Sequence, residues 1–317
     1  CLIACIPQQV MAQKQSRMEK LLRYLNDNDA DKWQKNREKL DDETKAYYAE
    51  DLSLMDVLND LWNGQSEQAA TLYFGCYEKA AQSNFPSICE GEKIPLSQIR
   101  DKADQSIINL LEASKDKIPF SRALLDSIHA TEYPVDSAML QRLQNIREVA
   151  LLEGMLKAPT PIIYQTYVKE YPNGKFIAQV NASENVRLYQ LVKTAPTPAN
   201  FKAFFEDPEM QKYYQDRGPR PYLAEVRTLY DDFLFQRIDS LKKEGNATAI
   251  RQIIDDYKNT PYLATGARTH LNDLEYLSEK ADFELLKPAI VNSESLGLLQ
   301  EFLKTHKYKE FRDQAKN

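Results

Sequence analysis

One pattern of apolar residues returns four times in the second half of this 317-residue chain and limits the folds open to it. Each copy spaces its apolar side chains three and four residues apart, as one face of an α-helix requires. The first copy lies in YQTYVKEYPNGKF, residues 164–176, where a proline and a glycine then stop the helix. The copies comprise Tyr164, Tyr167, Val168 and Tyr171; Phe201, Phe204, Phe205 and Pro208; Ile250, Ile253, Ile254 and Tyr257; and Leu299, Phe302, Leu303 and His306.

The copies predict pairs of helices. In three of them a second helix is expected to open with an aromatic residue twelve positions after the first anchor, namely Phe176, Tyr262 and Phe311. A single helical hairpin leaves an apolar side that the next hairpin must cover. The pattern therefore predicts an all-α chain in which residues 158–317 form an α-solenoid of antiparallel hairpins, with the aromatic residues as packing contacts.

The N-terminal half, residues 13–157, has the same helical spacing without a clear repeat. Leu21, Leu22 and Leu25 form one short apolar stripe. A longer stripe comprises Tyr48, Leu52, Met55, Leu58, Leu61 and Trp62, with Gly64 after it as a helix stop. Further amphipathic helices are predicted near 66–84, 97–115, 120–131 and 136–157, so this half is either diverged repeats or a separate helical region.

The first twelve residues, CLIACIPQQVMA, are typical of the end of a secretory signal peptide. Val10 and Ala12 are the compact residues that signal peptidase requires, and Pro7 is expected to leave the bond after Ala12 extended. We therefore predict cleavage after Ala12 and a periplasmic or secreted protein. An alternative is lipidation at Cys5, within Leu2-Ile3-Ala4-Cys5, which would make the protein an outer-membrane lipoprotein. A third interpretation is an ordinary buried N-terminal helix.

The composition excludes several classes of function. The formal net charge is −6, so nucleic acid is not expected as a partner, because phosphate binding needs a concentrated positive field. The chain has only 9 glycines, which disfavours Rossmann and P-loop enzymes. No internal apolar run reaches the roughly 20 residues that span a bilayer. The mature chain is therefore expected to have no membrane span, although a lipid anchor at Cys5 is an alternative.

Cys76 and Cys89 flank the segment YEKAAQSNFPSI, in which Asn84 and Pro86 predict a turn. A disulfide across this corner is one interpretation in an oxidising compartment. Two separate buried thiols are the other. Without histidines at ligand spacing, the two cysteines do not predict a zinc site.

The segment YPNGKFIAQVNA, residues 171–182, carries a family resemblance. It resembles the Tyr-Pro-x-Ser/Gly-x-aromatic-x-Ala turn of tetratricopeptide-like repeats, of the variety found in bacterial envelope proteins such as outer-membrane assembly lipoproteins. DYKNTPYLATGA, residues 256–267, is a looser echo. The resemblance implies a right-handed solenoid in which small residues allow close helix approach, here Ala178, Ala182, Ala264 and Ala267.

Catalytic motifs are sparse. The histidines are His129, His270 and His306, and they lack the spacing of a zinc hydrolase; neither a nucleophile elbow nor a phosphate loop occurs. ESLGLLQ, residues 294–300, contains Glu-Ser and Gly-Leu-x-Gln fragments seen in lytic transglycosylases, but they overlap too closely to form that sugar cleft. Glu294 is better explained as the start of a helix that Ser293 caps.

Paired carboxylates are the other catalytic candidates. Asp231-Asp232 and Asp255-Asp256 are expected to be solvated, because adjacent helical residues point in different directions. We predict no catalytic residue, no metal and no cofactor.

The second copy departs from the pattern. Its connector, EDPEMQKYYQDRGPRPY at residues 206–222, is longer than in the other copies, and insertions in solenoids project from one face. It concentrates Tyr213, Tyr214, Arg217 and Arg220, residue types that supply much of the binding energy at protein interfaces. These four are the candidate partner-binding residues. The alternative is a packed extra helix with solvated arginines.

Together these observations predict an exported, non-catalytic binding or assembly scaffold for a protein or peptide partner in the cell envelope. The alternative is a helical envelope enzyme or carbohydrate-binding protein that acts on glycans or peptidoglycan.

The intact mass of the exported protein tests the N-terminal prediction. We expect a mature chain that starts at Gln13, because Ala12 and Val10 satisfy signal peptidase. An acylated N-terminal Cys5 would replace this prediction with the lipoprotein alternative.

Overall fold

The computed structural model describes residues 8–260, 262, 270–290 and 296–317. Across these residues the chain folds into eighteen helices and contains no strand, so the predicted all-α class is confirmed. No helix in this part of the chain is long and apolar enough to cross a membrane. The residues divide into two compact units, Cys1–Ala158 with Gln165–Phe176, and Pro159–Tyr164 with Ile177–Asn317.

Nearly all of the first unit is helical. Its helices are α1 (Gln8–Asn26), α2 (Ala30–Glu38), α3 (Asp42–Tyr47), α4 (Ala49–Trp62), α5 (Glu67–Ala81), α6 (Phe85–Glu92), α7 (Leu96–Ala113), α8 (Lys117–His129), α9 (Ser137–Lys157) and the end of α10 (Pro161–Glu170). Polar side chains fix several of the starts. Asp29, Asp41 and Ser66 each accept a hydrogen bond from a backbone N–H in the first turn that follows.

The core of the first unit contains the stripes that the sequence predicts. Leu52, Met55 and Leu58 of α4 are buried against α5, and the three leucines of α1 join the same cluster. Each such side chain stabilises the fold by about 1.5–3 kcal/mol. Both predicted stripes are confirmed.

The two cysteines near this core are free thiols. Asn84 precedes α6 and Pro86 lies in its first turn, as expected for a corner between helices. Cys76 lies on α5 with its Sγ 3.5 Å from the Ser53 Oγ, whereas Cys89 is buried on α6. Burial raises the pKa of the Cys89 thiol to about 12, so it is inert at neutral pH. The structure thus corresponds to the interpretation of two separate thiols.

The N-terminus differs from the sequence expectation. α1 begins at Gln8 and continues through Ala12, so the bond after Ala12 is helical rather than extended. A proline before the first turn, here Pro7, is compatible with a helix start. Residues 1–7, including Cys5, lie outside the described part of the chain, and cleavage after Ala12 stays a prediction.

The second unit holds most of the repeated pattern. Its helices are α11 (Ile177–Thr194), α12 (Pro198–Glu206), α13 (Pro208–Tyr214), α14 (Leu223–Lys243), α15 (Ala247–Asn259), α16 (Leu271–Ile290), α17 (Leu296–Thr305) and α18 (Lys309–Lys316). The four predicted short helices correspond to α10, α12, α15 and α17. In three copies the short helix is followed directly by a second helix, α11, α16 or α18, as predicted; in the second copy α13 of the insertion lies between α12 and α14.

The anchors of the repeats are packing residues, as predicted. Phe201 and Phe204 are fully buried, Phe302 is 5% exposed, and Ile253 is half-buried. One cluster joins α14, α15 and α16, and a second joins α16, α17 and α18. α16 therefore contributes to both clusters.

The third copy differs from the prediction at its second helix. Tyr262 does not open α16, which begins nine residues later at Leu271. Thr260 precedes a proline and has an extended ψ of 132°, because proline disfavours the helical conformation of the residue before it. Residues 263–269, with the predicted contacts of Ala264 and Ala267, lie outside the described residues.

A buried carboxyl group in the first unit makes its stability depend on pH. Asp104 of α7 is 7% exposed and accepts a hydrogen bond from the Tyr133 hydroxyl at 2.5 Å. Burial raises the pKa of Asp104 to about 6, whereas an unfolded chain holds an aspartate near about 3.9. The folded state therefore favours the protonated form, and the stability that this preference contributes is lost as the pH rises from about 4 to about 6.

We predict that Asp104→Asn removes this loss. The free energy of unfolding of the natural chain should fall by about 2 kcal/mol between pH 4 and pH 7, whereas the amide accepts the same hydrogen bond without titrating. Urea unfolding followed by tryptophan fluorescence measures this unit alone, since both tryptophans, Trp33 and Trp62, belong to it. Glu153→Gln, which removes an exposed carboxylate of α9, is the control. An unchanged pH slope in Asp104→Asn would contradict the prediction.

Candidate partner-binding groove

The insertion at residues 206–222 folds into a separate short helix and an exposed connector. α12 ends at Glu206, and Asp207 starts α13 at once by accepting a hydrogen bond from the Met210 N–H at 2.8 Å. Pro208 lies in the first turn, where its missing N–H has no cost. Met210 is fully buried, so α13 is packed into the second unit.

An open groove of about 760 Å³ lies along this insertion. Part of its wall is aromatic and aliphatic, from Phe205, Met210, Tyr214, Leu223 and Tyr262. The rings of Phe205 and Tyr262 stack with their centroids 4.3 Å apart. The insertion therefore adds a concave surface to the second unit.

The charged residues of the wall are all positive. Lys212, Arg220 and Arg227 line the groove, and no acidic residue lines it among the residues that the structure describes. The whole chain, by contrast, has a net charge of −6. The groove is thus a local cationic site on an acidic protein.

Arg220 holds the connector against the body of the unit. It is 9% exposed; its Nε donates to the Asn185 Oδ1 at 2.6 Å, and its Nη1 donates to the main-chain oxygen of Phe204. The guanidinium also lies over the Phe204 ring, 3.9 Å from its centroid. Burial lowers the pKa of Arg220 to about 10, although the nearby Asp207 carboxylate favours the charged form. The side chain is charged at neutral pH.

Two buried guanidinium nitrogens at the groove have no acceptor. The Nη2 of Arg220 and the Nε of Arg227 are closed to solvent and form no hydrogen bond within the described residues. A buried donor without an acceptor costs about 1–3 kcal/mol, and more when it is charged. Such atoms mark a place where a ligand can supply the missing acceptor.

The four predicted partner-binding residues divide into two pairs. Tyr214 and Arg220 line the groove, whereas Tyr213 and Arg217 do not. Arg217 is exposed, with its guanidinium 4.4 Å from the Tyr213 ring centroid. The alternative of a packed helix with solvated arginines is thus correct for Arg217 and wrong for Arg220, which Asn185 and Phe204 hold inside.

Tyr222, at the end of the connector, has a left-handed backbone with φ of 63°. Left-handed conformations are unfavourable for a bulky side chain. The Tyr222 ring stacks on Tyr189 of α11 at 4.3 Å, and the Tyr189 hydroxyl donates to the Glu225 carboxylate. This stack fixes the point at which the chain enters α14.

The sequence did not single out three residues of this site. Lys212, Arg227 and Tyr262 lie in the groove, but Arg227 and Tyr262 lie outside the insertion in the sequence. No pattern in the sequence links Arg227 or Tyr262 to the insertion.

Other catalytic candidates do not converge on the groove. Asp231 is fully buried, where its carboxylate accepts a hydrogen bond from the Tyr257 hydroxyl, so the expectation that it is solvated is wrong. Asp255 is half-exposed and Asp256 exposed, as expected. Asp231, Asp232 and His270 bring possible ligand atoms within 4.8 Å of one another, but Asp231 already has a hydrogen-bond donor.

The remaining candidates lie apart from one another in the chain. His129 is exposed at the end of α8, and His306 lies with its Nε2 2.9 Å from the Asp282 Oδ2. Ser293 and Glu294 lie outside the described residues.

Comparisons with known proteins found no protein-family model, no curated protein and no solved structure that matches the chain.

We predict that Asp207→Ala loosens the insertion. The substitution removes the N-cap of α13, which should cost about 1 kcal/mol of local stability. Hydrogen exchange of peptides from residues 207–222 should accelerate, while exchange in α4 and α5 stays unchanged. Asp216→Ala, an exposed carboxylate in the same insertion, is the control. Equal exchange in Asp207→Ala and the natural chain would show that the cap does not hold the helix.

Proposed function

We propose that this protein is a non-catalytic binding or assembly scaffold that holds a protein or peptide partner in the groove beside the insertion. The observation that carries the proposal is the groove itself, with its aromatic wall and three cationic side chains. Tyrosine and arginine are enriched among residues that dominate binding energy at interfaces. Tyr214 and Lys212 lie on α13, which the buried Met210 packs into the second unit.

The shape of the groove favours a peptide segment over a small molecule. Sites for small molecules bury about 70–90% of the ligand surface in a cleft or cavity. This groove is open along the insertion and is bordered by an exposed connector, residues 215–219. An extended chain fits such a surface, because it is contacted from one side along its length.

We further propose that the repeats of the second unit form a right-handed α-solenoid. Neighbouring helices pack in chain order there: α11 on α12, α14 on α15, α15 on α16, and α16 on both α17 and α18. The position of α16 in two successive clusters supports this proposal, since each hairpin of a solenoid covers the one before it.

An envelope location completes the proposal. It rests on the sequence of residues 1–12, with cleavage after Ala12 or, alternatively, lipidation at Cys5. In either case the partner would be another protein outside the cytoplasm.

Site-specific photo-crosslinking tests the scaffold. A photoreactive amino acid at Gln215, which lines the groove, should capture one defined envelope protein. The same amino acid at Lys202, exposed on α12 outside the groove, should not. Tyr213→Ala and Arg217→Ala test the part of the insertion outside the groove lining; weaker capture would show that it also contacts the partner. Equal capture at both positions, or none at Gln215, would overturn the proposal.

A further inference from the structure

The chain contains two buried arginines whose surroundings differ in one respect. Arg147 is 2% exposed in the first unit and Arg220 is 9% exposed in the second. Both donate to a main-chain oxygen and to a neutral side-chain oxygen. They differ in whether a carboxylate also accepts hydrogen bonds from the guanidinium group.

Each guanidinium nitrogen of Arg147 has a hydrogen-bond acceptor. Its Nη1 donates to the Ile118 main-chain oxygen at 2.8 Å and to the Ser121 Oγ at 3.1 Å. Its Nε and Nη2 donate to the two carboxylate oxygens of Glu170 at 2.6 and 2.9 Å. A two-point carboxylate contact of this kind is the arrangement that compensates a buried guanidinium best.

Arg220 has the neutral acceptors but no carboxylate. Asn185 and Phe204 take its Nε and Nη1, and its Nη2 has no acceptor. Asp207 is near but caps α13, and within the described residues Arg220 forms no ion pair. A buried charge without a partner is costly, so an anion that enters the groove gains a contact that the free chain lacks.

The neighbouring side chains add positive charge that likewise lacks an acidic partner in the groove. The unpartnered Nε of Arg227 and the exposed ammonium of Lys212 belong to the same groove. Three cations without an acidic lining residue favour an anion over a neutral ligand. The two guanidinium nitrogens are closed to solvent in the free chain, so pairing with an anion requires the arginine side chains or the exposed connector, residues 215–219, to shift.

The aromatic and aliphatic half of the wall indicates what surrounds the anion. Phe205, Met210 and Tyr214 present apolar surface beside the cations. Inorganic phosphate or polyphosphate has no apolar surface to place there. A peptide with an acidic side chain next to an apolar one complements both halves.

We propose that the groove binds an acidic peptide segment, in which an aspartate or glutamate carboxylate pairs with Arg220 and Arg227 while a neighbouring aromatic or aliphatic side chain packs on Phe205, Met210 and Tyr214. This inference rests on the proposed scaffold function and names the chemistry of its partner. Lys212 strengthens the attraction from the rim of the groove.

Selection from a random dodecapeptide library on the full-length protein tests the inference. The enriched peptides should carry Asp or Glu beside an aromatic or aliphatic residue. A labelled peptide from this pool is then compared, by fluorescence anisotropy, with its counterpart in which every Glu becomes Gln and every Asp becomes Asn. We expect the acidic peptide to bind at least about tenfold more tightly, the ratio that about 1.4 kcal/mol provides.

Charge variants locate the binding. Arg227→Gln and Lys212→Glu should each weaken the acidic peptide, with little effect on its amide counterpart. Lys202→Glu makes the same charge change as Lys212→Glu on an exposed residue outside the groove and should leave binding unchanged. Because Arg220 also holds the connector in place, its substitution is not the deciding variant.

The outcomes separate this inference from the scaffold proposal. Equal affinity for acidic and amide peptides, or equal weakening by Lys202→Glu and Lys212→Glu, would overturn it. It would also fail if inorganic phosphate or anionic vesicles bound in the groove while the acidic peptides did not. If the peptides failed but Gln215 still captured a protein partner, only the acidic chemistry would be wrong; if both failed, the scaffold would be wrong as well.

Discussion

The second unit depends on one constraint, which is that its short helices cannot bury their own apolar faces. α12 and α17 have only 9 and 10 residues, so helices of this length are marginal by themselves. α12 packs on the longer α11, and α16, with 20 residues, packs on α15 at one part of its length and on α17 at another. Leu274 and Leu277 pack with α14 and α15, whereas Phe283 and Leu286 pack with α17 and α18. Each cluster therefore stabilises a helix on which the next cluster depends.

The helices were predictable from sequence because their signal is local. The three-and-four spacing of Tyr48 to Leu61, or of Phe201 to Phe205, lies within a few residues and specifies which face is buried. The state of single polar residues was not predictable in this way. Arg220 is inside because Asn185, 35 positions earlier, accepts its hydrogen bond, and Asp231 is inside because of Tyr257, 26 positions later. Such contacts exist only once the hairpins pack.

The dependence on long-range contacts also explains why the sequence predicted only part of the groove. The longer connector of the second copy identified Tyr214 and Arg220, because an interruption in a repeat is visible in the sequence. Arg227 lies on α14 and Tyr262 after α15, where nothing interrupts the helical spacing. Two unusual features occur in this part of the chain, namely the unpartnered guanidinium nitrogens in the groove and the left-handed backbone of Tyr222, one residue before the groove-lining Leu223. Departures of this kind from ordinary folding rules are expected where a protein functions.

The left-handed backbone of Tyr222 has a further consequence for α14. A bulky residue in this conformation costs about 1–2 kcal/mol relative to glycine, and a stacked ring pair returns about 0.5–1.5 kcal/mol. These magnitudes nearly cancel, so the junction holds its geometry with little energy to spare. Parting the Tyr189 and Tyr222 rings would therefore remove most of what offsets the backbone strain at residue 222, immediately before the first turn of α14.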